Sequence, residues 1–118
     1  MKKKPEIFLR HILECIAVIE NHTRKTSQGK FSRDVKTQDA VIRRIEIIGE
    51  AVKNLPAEFT KRHTEIEWRE MAGMRDKLIH EYFGIHLDVV WTTIMRDIPR
   101  LKRLITALLK RISKVIPP

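Results

Sequence analysis

Apolar side chains recur every three or four residues along most of the chain, which is the spacing of one face of an α-helix. The clearest run lies in residues 37–55, with apolar side chains at Val41, Ile45, Ile48, Val52 and Leu55. Only four glycines and five prolines interrupt the 118 residues, and no segment alternates well enough for a strand. We therefore expect an all-α protein, an up-and-down bundle of four to five helices.

Breaks in this periodicity predict where the helices begin and end. They indicate helices at about residues 6–23, 37–55, 65–83, 88–98 and 99–112. Thr37 is the expected N-cap of the second helix, and Pro56 should close it. Gly84 should end the third helix, whereas Pro99 should kink or restart the last stretch.

Polar segments separate the predicted helices without dividing the chain into domains. Residues 21–36 predict a loop with a short turn around Phe31, and residues 57–64 predict a connector. Because no repeat or long linker interrupts the pattern, residues 1–118 should form a single domain.

The chain carries a formal charge of +9, which favours association with a polyanion. RNA or DNA is the first candidate for this polyanion, although the positive charge would also attract an acidic protein. Much of the excess lies near the two ends of the chain, at Lys2 to Lys4, Arg100, Lys102, Arg103, Lys110, Arg111 and Lys114. These cations either cover solvated helix faces or form a track for a phosphate backbone.

The number of cysteines and the N-terminal sequence indicate the cellular compartment in which the protein is expected. The single Cys15 excludes an intramolecular disulfide and favours a reducing environment. The first apolar stretch is interrupted by Arg10, His11 and Glu14, so neither a signal peptide nor a membrane span is expected. We therefore expect a cytoplasmic protein without a membrane association.

An arginine, a histidine and a tyrosine lie within about two predicted helical turns, at Arg75, His80 and Tyr82. An imidazole titrates near neutrality and can move protons in both directions. A guanidinium is a permanent cation whose fork matches phosphate oxygens. The tyrosine adds a hydroxyl that can donate, accept or be modified. Together these groups suffice to cleave a phosphodiester without a metal.

At helical spacing, the three side chains of this motif do not all lie on one face of the helix. Arg75 falls on one stripe with the apolar Trp68, Met71 and Leu78 and with Tyr82. A guanidinium on such a stripe needs a partner, so Arg75 should form an ion pair on the neighbouring helix or face a groove or a second subunit. The candidates for an ion pair are Asp39, Glu46 and Glu50.

His80 lies five residues beyond Arg75, about 140° away around an ideal helix. The two side chains therefore converge only if the helix loosens near His80 or if they meet across a homodimer axis. Otherwise, His80 would only stabilise a helix C-terminus.

No pattern of metal ligands or cofactor binding accompanies this motif. His11, His22, His63 and His86 lack zinc-like spacing, and the acidic residues are dispersed. There is no glycine-rich phosphate loop. We expect neither a metal nor a cofactor.

The motif Arg75-x4-His80-x-Tyr82 resembles the signature of HepT-like toxins in the HEPN superfamily, and the polar Asp76 after the arginine also fits. Residues 39–51, 68–82 and 88–91 are similar to the second, third and fourth helical blocks of that family. The resemblance implies a HEPN-like bundle that forms a homodimer, with the motif at the interface.

The same resemblance implies a metal-independent endoribonuclease, the toxin of a toxin–antitoxin pair. Its antitoxin would be a minimal nucleotidyltransferase that transfers AMP from ATP to the motif tyrosine, here Tyr82. Under this hypothesis, His80 is the general acid or base, Arg75 stabilises charge on the phosphoryl group, and Asp76 supports one of them. Tyr82 would also contact RNA.

Two other functions are open from the sequence. A non-catalytic helical module could bind a nucleotidyltransferase partner, a nucleotide or a nucleic acid, because a fold does not establish an activity. A basic architectural dimer would bind nucleic acid with steep salt dependence and without dependence on His80.

Overall fold

Three long helices provide most of the core, in a computed structural model that describes residues 4–80 and 84–113. They are α1 (Pro5–Thr23), α3 (Val35–Lys53) and α8 (Ile98–Ser113). Five shorter helices complete the all-α fold: α2 (Gln28–Phe31), α4 (Ala57–Arg62), α5 (Trp68–Ala72), α6 (Met74–Leu78) and α7 (Leu87–Thr92). The all-α prediction is confirmed.

Helices α1 and α3 pack against each other through the apolar stripes that define them in the sequence. Pro5 occupies the first turn of α1, where its missing N–H costs nothing. Asp34, not Thr37, caps α3, because its carboxylate accepts from the Thr37 N–H (3.2 Å) and from the Thr37 hydroxyl (2.7 Å). Helix α8 packs against α1 and closes the core.

The prediction of one third helix over residues 65–83 is wrong. Gly73 ends α5 with its N–H donating to Arg69 O (3.1 Å), and the second segment, α6, ends at Leu78. Because glycine has a low helix propensity, a continuous helix would be less stable at Gly73. The segment around residues 57–64, expected to be only a connector, contains α4.

After α6 the backbone is extended, so the expectation that no segment forms a strand is also wrong at this point. Residues Ile79–His80 (β1) pair antiparallel with Gly84–Ile85 (β2), and His80 lies opposite Gly84. Gly84 has φ of 81°, a region that only glycine adopts readily. Leu78 O also accepts from His86 N–H (2.9 Å), which ties the two sides of the turn together.

The predicted restart at Pro99 is found one residue earlier, because α8 begins at Ile98, after a π-helical segment and without a non-helical gap. Helices α7 and α8 are joined by a π-helical segment, Thr93–Asp97, in which the Ile98 N–H donates to Thr93 O five residues earlier. Because proline has no N–H and its ring crowds the carbonyl four residues back, an α-helical pattern cannot continue unchanged here. A π-bulge is one way to accommodate this defect.

The core is apolar, and its few polar groups are paired. Gln38 Nε2 donates to Phe31 O (2.8 Å), and Thr93 Oγ1 donates to Val89 O (2.8 Å). No buried side-chain nitrogen or oxygen in the described ranges lacks a hydrogen-bond partner. Burial raises the pKa of the Cys15 thiol, which has no disulfide partner.

Candidate functional site

Arg75 and Asp76 lie together on α6, beside α3. The Arg75 side chain is 51% exposed, and its Nε lies 3.3 Å from Glu46 Oε2. Its second contact is longer, with Nη1 3.5 Å from Asp76 Oδ1. Arg75 is therefore a surface cation held between two carboxylates from two helices.

The outward direction of Arg75 corrects the predicted stripe. Met74 and Leu78 are the buried residues of α6, whereas Arg75, Asp76 and Lys77 are exposed. The interruption at Gly73 changes the helical phase, so Arg75 no longer continues the stripe that begins at Trp68. Of the three predicted partners, the structure selects Glu46, and the predicted ion pair is confirmed.

Helix α3, which carries Glu46, packs against both α5 and α6. A Cβ at Gly49 would lie 3.2 Å from Ala72 O, so the two backbones meet where α3 carries no side chain. Trp68 anchors the start of α5, because its ring is buried and its indole N–H donates to His63 O (2.8 Å). The helix that carries Glu46 and the helix that precedes Arg75 are thus tied to the core.

His80 follows the end of α6 rather than lying within a helix. The 140° separation expected on an ideal helix therefore does not apply, and the loosening that the spacing required occurs at Leu78. The His80 side chain and the whole of Tyr82 lie outside the described residues. The structure therefore brings together Arg75, Asp76 and Glu46, while the positions of the other two predicted groups remain predictions.

The Arg75 guanidinium keeps part of its donor capacity. A guanidinium has five N–H donors, and the contacts to Glu46 and Asp76 use only Nε and Nη1. Arg75 Nη2 makes no hydrogen bond to any described backbone or side chain, a set that excludes the side chains of Ile79 and His80. This arrangement orients the fork by one edge and leaves donors for an anion, such as a phosphate group.

A groove of about 420 Å³ lies on another side of α6, between α5 and α6 and the α7–α8 stretch. Its apolar lining includes Met71, Met74, Leu101 and Leu104, and cations and carboxylates of similar number share its rim. A hydrogen bond with the Glu67 carboxyl, together with that group's charge, raises the pKa of Glu70. No local sequence signal predicts this groove, because separate elements contribute its walls.

The expected basic track on the last helix is largely neutralised. Lys102 Nζ lies 3.0 Å from Glu20 Oε2, and Arg100 Nη1 lies 4.0 Å from Glu67 Oε1. Arg111 forms an ion pair with Glu65. Three of the five α8 cations named in the sequence analysis thus have a carboxylate partner, which weakens the case for a phosphate track there.

The described ranges contain no candidate metal site and no candidate membrane span. No group of three or more histidine, cysteine, aspartate or glutamate side chains within them could hold a metal ion. None of the helices in these ranges is both long enough and apolar enough to span a bilayer.

Comparison with known proteins adds independent information. A family model described as "Ribonuclease HepT-like" matches residues 12–108. A "Probable ribonuclease HepT" of Thermococcus cleftensis is 54% identical over 102 residues, covering 86% of this chain and 93% of the relative. A "Putative RNase" of Caldanaerobacter subterraneus subsp. tengcongensis is 46% identical over 110 residues, covering 92% of this chain and 97% of the relative.

One relative is longer. A "Gamma-glutamylcyclotransferase and putative RNase" of Methanocaldococcus jannaschii is 47% identical over 114 residues, or 97% of this chain. The chain spans about half of that protein, 51% of its length. No solved structure gives a significant match.

Proposed function

The chain belongs to the HepT-like ribonuclease family, and from that premise we propose that it is a metal-independent endoribonuclease toxin of a toxin–antitoxin pair, acting in the cytoplasm. Arg75 and His80 are the catalytic residues, and Asp76 is a supporting residue. The partner is a minimal nucleotidyltransferase antitoxin that neutralises the toxin by adenylylating Tyr82.

The observation that carries this proposal is the exposure of Arg75 and the orientation of its guanidinium by two carboxylates. Its side chain is half exposed on a short helix, and one edge of its guanidinium is engaged by Glu46 and Asp76. A residue needed only for packing would be buried, as its neighbours Met74 and Leu78 are. An exposed guanidinium with an oriented fork suits recognition of a charged phosphoryl group.

The proposed reaction is an internal transfer at phosphorus. His80 removes the proton of an RNA 2′-hydroxyl while that oxygen attacks the adjacent phosphorus, and the bond from phosphorus to the 5′-oxygen breaks. A proton returns to the departing 5′-oxygen, which leaves a 2′,3′-cyclic phosphate and a 5′-hydroxyl. Arg75 stabilises the charge that grows on the phosphoryl oxygens, and Asp76 helps to orient Arg75.

The homodimer belongs to the same proposal. Several large apolar side chains are exposed in the segment after the motif, at Ile85, Val89 and Met95. Exposed apolar side chains concentrated in one segment are common at protein interfaces. A second copy that covers this segment would bring two motifs near one axis.

Modification of Tyr82 would supply the control. Transfer of AMP from ATP forms a phosphodiester on the tyrosine oxygen and releases pyrophosphate. The new group adds a negative charge and a nucleotide's bulk beside the motif, where an RNA phosphate must bind. Intact mass after co-expression with the nucleotidyltransferase should show one AMP-sized adduct that is absent from Tyr82→Phe.

The decisive experiment is RNA cleavage by purified, unmodified protein in EDTA. Wild type should produce 2′,3′-cyclic phosphate ends, and His80→Ala should lose cleavage by roughly 10²–10⁴-fold while keeping its circular dichroism spectrum. The control is His22→Ala, an exposed histidine at the end of α1. Undiminished cleavage by His80→Ala refutes the assignment, and intact RNA with the unmodified wild type favours a non-catalytic binding module.

A further inference from the structure

Positive charge is concentrated where α1 passes into α3. Residues 24–36, here called the basic connector, contain α2 and carry five cations against one carboxylate, a formal charge of +4. The cations are all exposed: Arg24, Lys25, Lys30, Arg33 and Lys36. These 13 residues therefore hold nearly half of the chain's net charge of +9.

No cation of the basic connector forms an ion pair within the described ranges. The one carboxylate, Asp34, is engaged with the Thr37 hydroxyl and N–H at the start of α3. The connector thus differs from α8, whose cations mostly face carboxylates.

The basic connector is anchored rather than loose. Phe31 is fully buried, with its ring centroid 5.5 Å from that of Trp91, and Gln38 Nε2 donates to Phe31 O (2.8 Å). Within the connector, Ser27 Oγ accepts from Lys30 N–H (3.2 Å) and Ser32 Oγ donates to Gly29 O (2.8 Å). A backbone held in this way presents its cations without a large ordering cost on binding.

The position of the connector's aromatic ring indicates which part of a nucleic acid the connector can bind. Phe31, the one aromatic residue of residues 24–36, faces the core, so no ring in the connector is left for stacking on a base. Lysine and arginine side chains contact phosphates without reading the sequence. The surface therefore suits a phosphate backbone, and binding there should be independent of base sequence and sensitive to salt.

We propose that the basic connector is the docking surface for the RNA backbone, separate from the Arg75 motif. The proposal rests on the proposed function for the identity of the polyanion as RNA. Trp91 links the two regions, because it packs on Phe31 and belongs to α7, which contacts α6. Docking at the connector would hold RNA on the protein while the motif acts on another part of the strand.

The test compares two variants of equal charge. One is Lys25→Gln/Lys30→Gln/Arg33→Gln/Lys36→Gln in the connector, and the control is Lys102→Gln/Arg103→Gln/Lys110→Gln/Arg111→Gln on α8. Binding of a fluorescent 20-nucleotide 2′-O-methyl oligouridylate, which cannot be cleaved, is measured by anisotropy from 50 to 400 mM KCl. Circular dichroism and thermal midpoints verify folding. If the quadruple variant of the connector is unstable, the double variants Lys25→Gln/Lys30→Gln and Arg33→Gln/Lys36→Gln replace it.

Each single-strand phosphate contact contributes about 0.7 to the slope of log K against log salt, so four contacts contribute about 3. We expect the connector variant to lose this slope and to bind about 10²–10³-fold more weakly at 0.1 M salt, with little change in the α8 control. Equal weakening of both variants, or loss in the α8 control alone, overturns the proposal. So does unchanged RNA binding by the connector variant with lost binding of polyglutamate, which indicates an acidic protein partner.

This readout is independent of catalysis. If the wild type binds the oligonucleotide through the connector but cuts no RNA, the proposed ribonuclease activity fails and the docking surface stands. If the wild type cuts RNA and the connector variant binds the oligonucleotide normally, the proposed docking surface fails and the proposed ribonuclease activity stands.

Discussion

Replacing Arg75 by alanine should separate a structural role from a functional one. Its ion pair with Glu46 spans 3.3 Å between side chains that are 51% and 32% exposed. Unit charges at this distance in water attract by about 1 kcal/mol, and exposed pairs usually contribute about 0.2–1 kcal/mol to stability. The contact to Asp76, at 3.5 Å and more exposed, adds less. Arg75→Ala should therefore lower the free energy of unfolding by no more than about 1 kcal/mol.

The effect on RNA cleavage should be far larger. Loss of one oriented donor that stabilises transition-state charge typically costs about 10²–10³-fold in rate. Arg75→Lys keeps the charge but loses the planar fork, so we expect it to restore only part of the rate. Glu46→Gln leaves the guanidinium in place and should reduce the rate less than Arg75→Ala does.

The assay pairs single-turnover RNA cleavage in EDTA with thermal unfolding of the same samples. A destabilisation of 1 kcal/mol corresponds to a midpoint shift of about 4 °C in a domain of this size. Arg103→Ala is the matched control, since it removes an exposed cation that makes no ion pair within the described ranges. Full activity in Arg75→Ala would refute the reasoning, as would a loss of several kcal/mol of stability that accounts for the lost activity.

Two further predictions concern the scaffold. Gly49→Leu should destabilise the fold by about 1–3 kcal/mol in urea unfolding and reduce cleavage, because its Cβ would lie 3.2 Å from Ala72 O and the larger side chain must push α5 away from α3. Gly29→Leu is the control for stability alone, since its Cβ would meet only the Arg33 guanidinium at 3.8 Å, and equal destabilisation by the two variants would contradict the close approach. Hydrogen bonds from the Thr37 hydroxyl and N–H lower the pKa of Asp34, so its stabilising effect should be present above the unfolded-state pKa of about 3.9 and be lost as the pH falls through the lower folded-state value. The difference in thermal midpoint between wild type and Asp34→Asn should therefore change as the pH falls below about 4, and a constant difference would exclude titration of this cap.

The sequence by itself determined the helical class and the longest elements. The apolar spacing of α1 and α3 predicts both helices to within a few residues, because helix periodicity and end signals are local. The motif from Arg75 to Tyr82 is also a local feature of the sequence. An ion pair of Arg75 with the neighbouring helix is one expectation from the sequence, but only the fold selects Glu46, which lies 29 positions away.

Sequence periodicity failed where long-range packing sets the local geometry. The pattern from Trp68 to Tyr82 looks continuous, yet the helix is interrupted at Gly73 and ends at Leu78. At this point α5 lies against Gly49 of α3, a contact between residues more than 20 positions apart in the chain. The predicted stripe fails at Arg75 for the same reason, because the interruption turns this side chain toward solvent.

Charge placement also depended on tertiary structure. The cations of α8 look like a continuous basic face in the sequence, but Lys102 reaches Glu20 and Arg111 reaches Glu65. The basic connector resembles an ordinary polar loop in the sequence, yet its cations form no ion pair within the described ranges. Formal charge is a property of composition, whereas the field at a surface depends on which carboxylates the fold brings within a few ångströms of each cation.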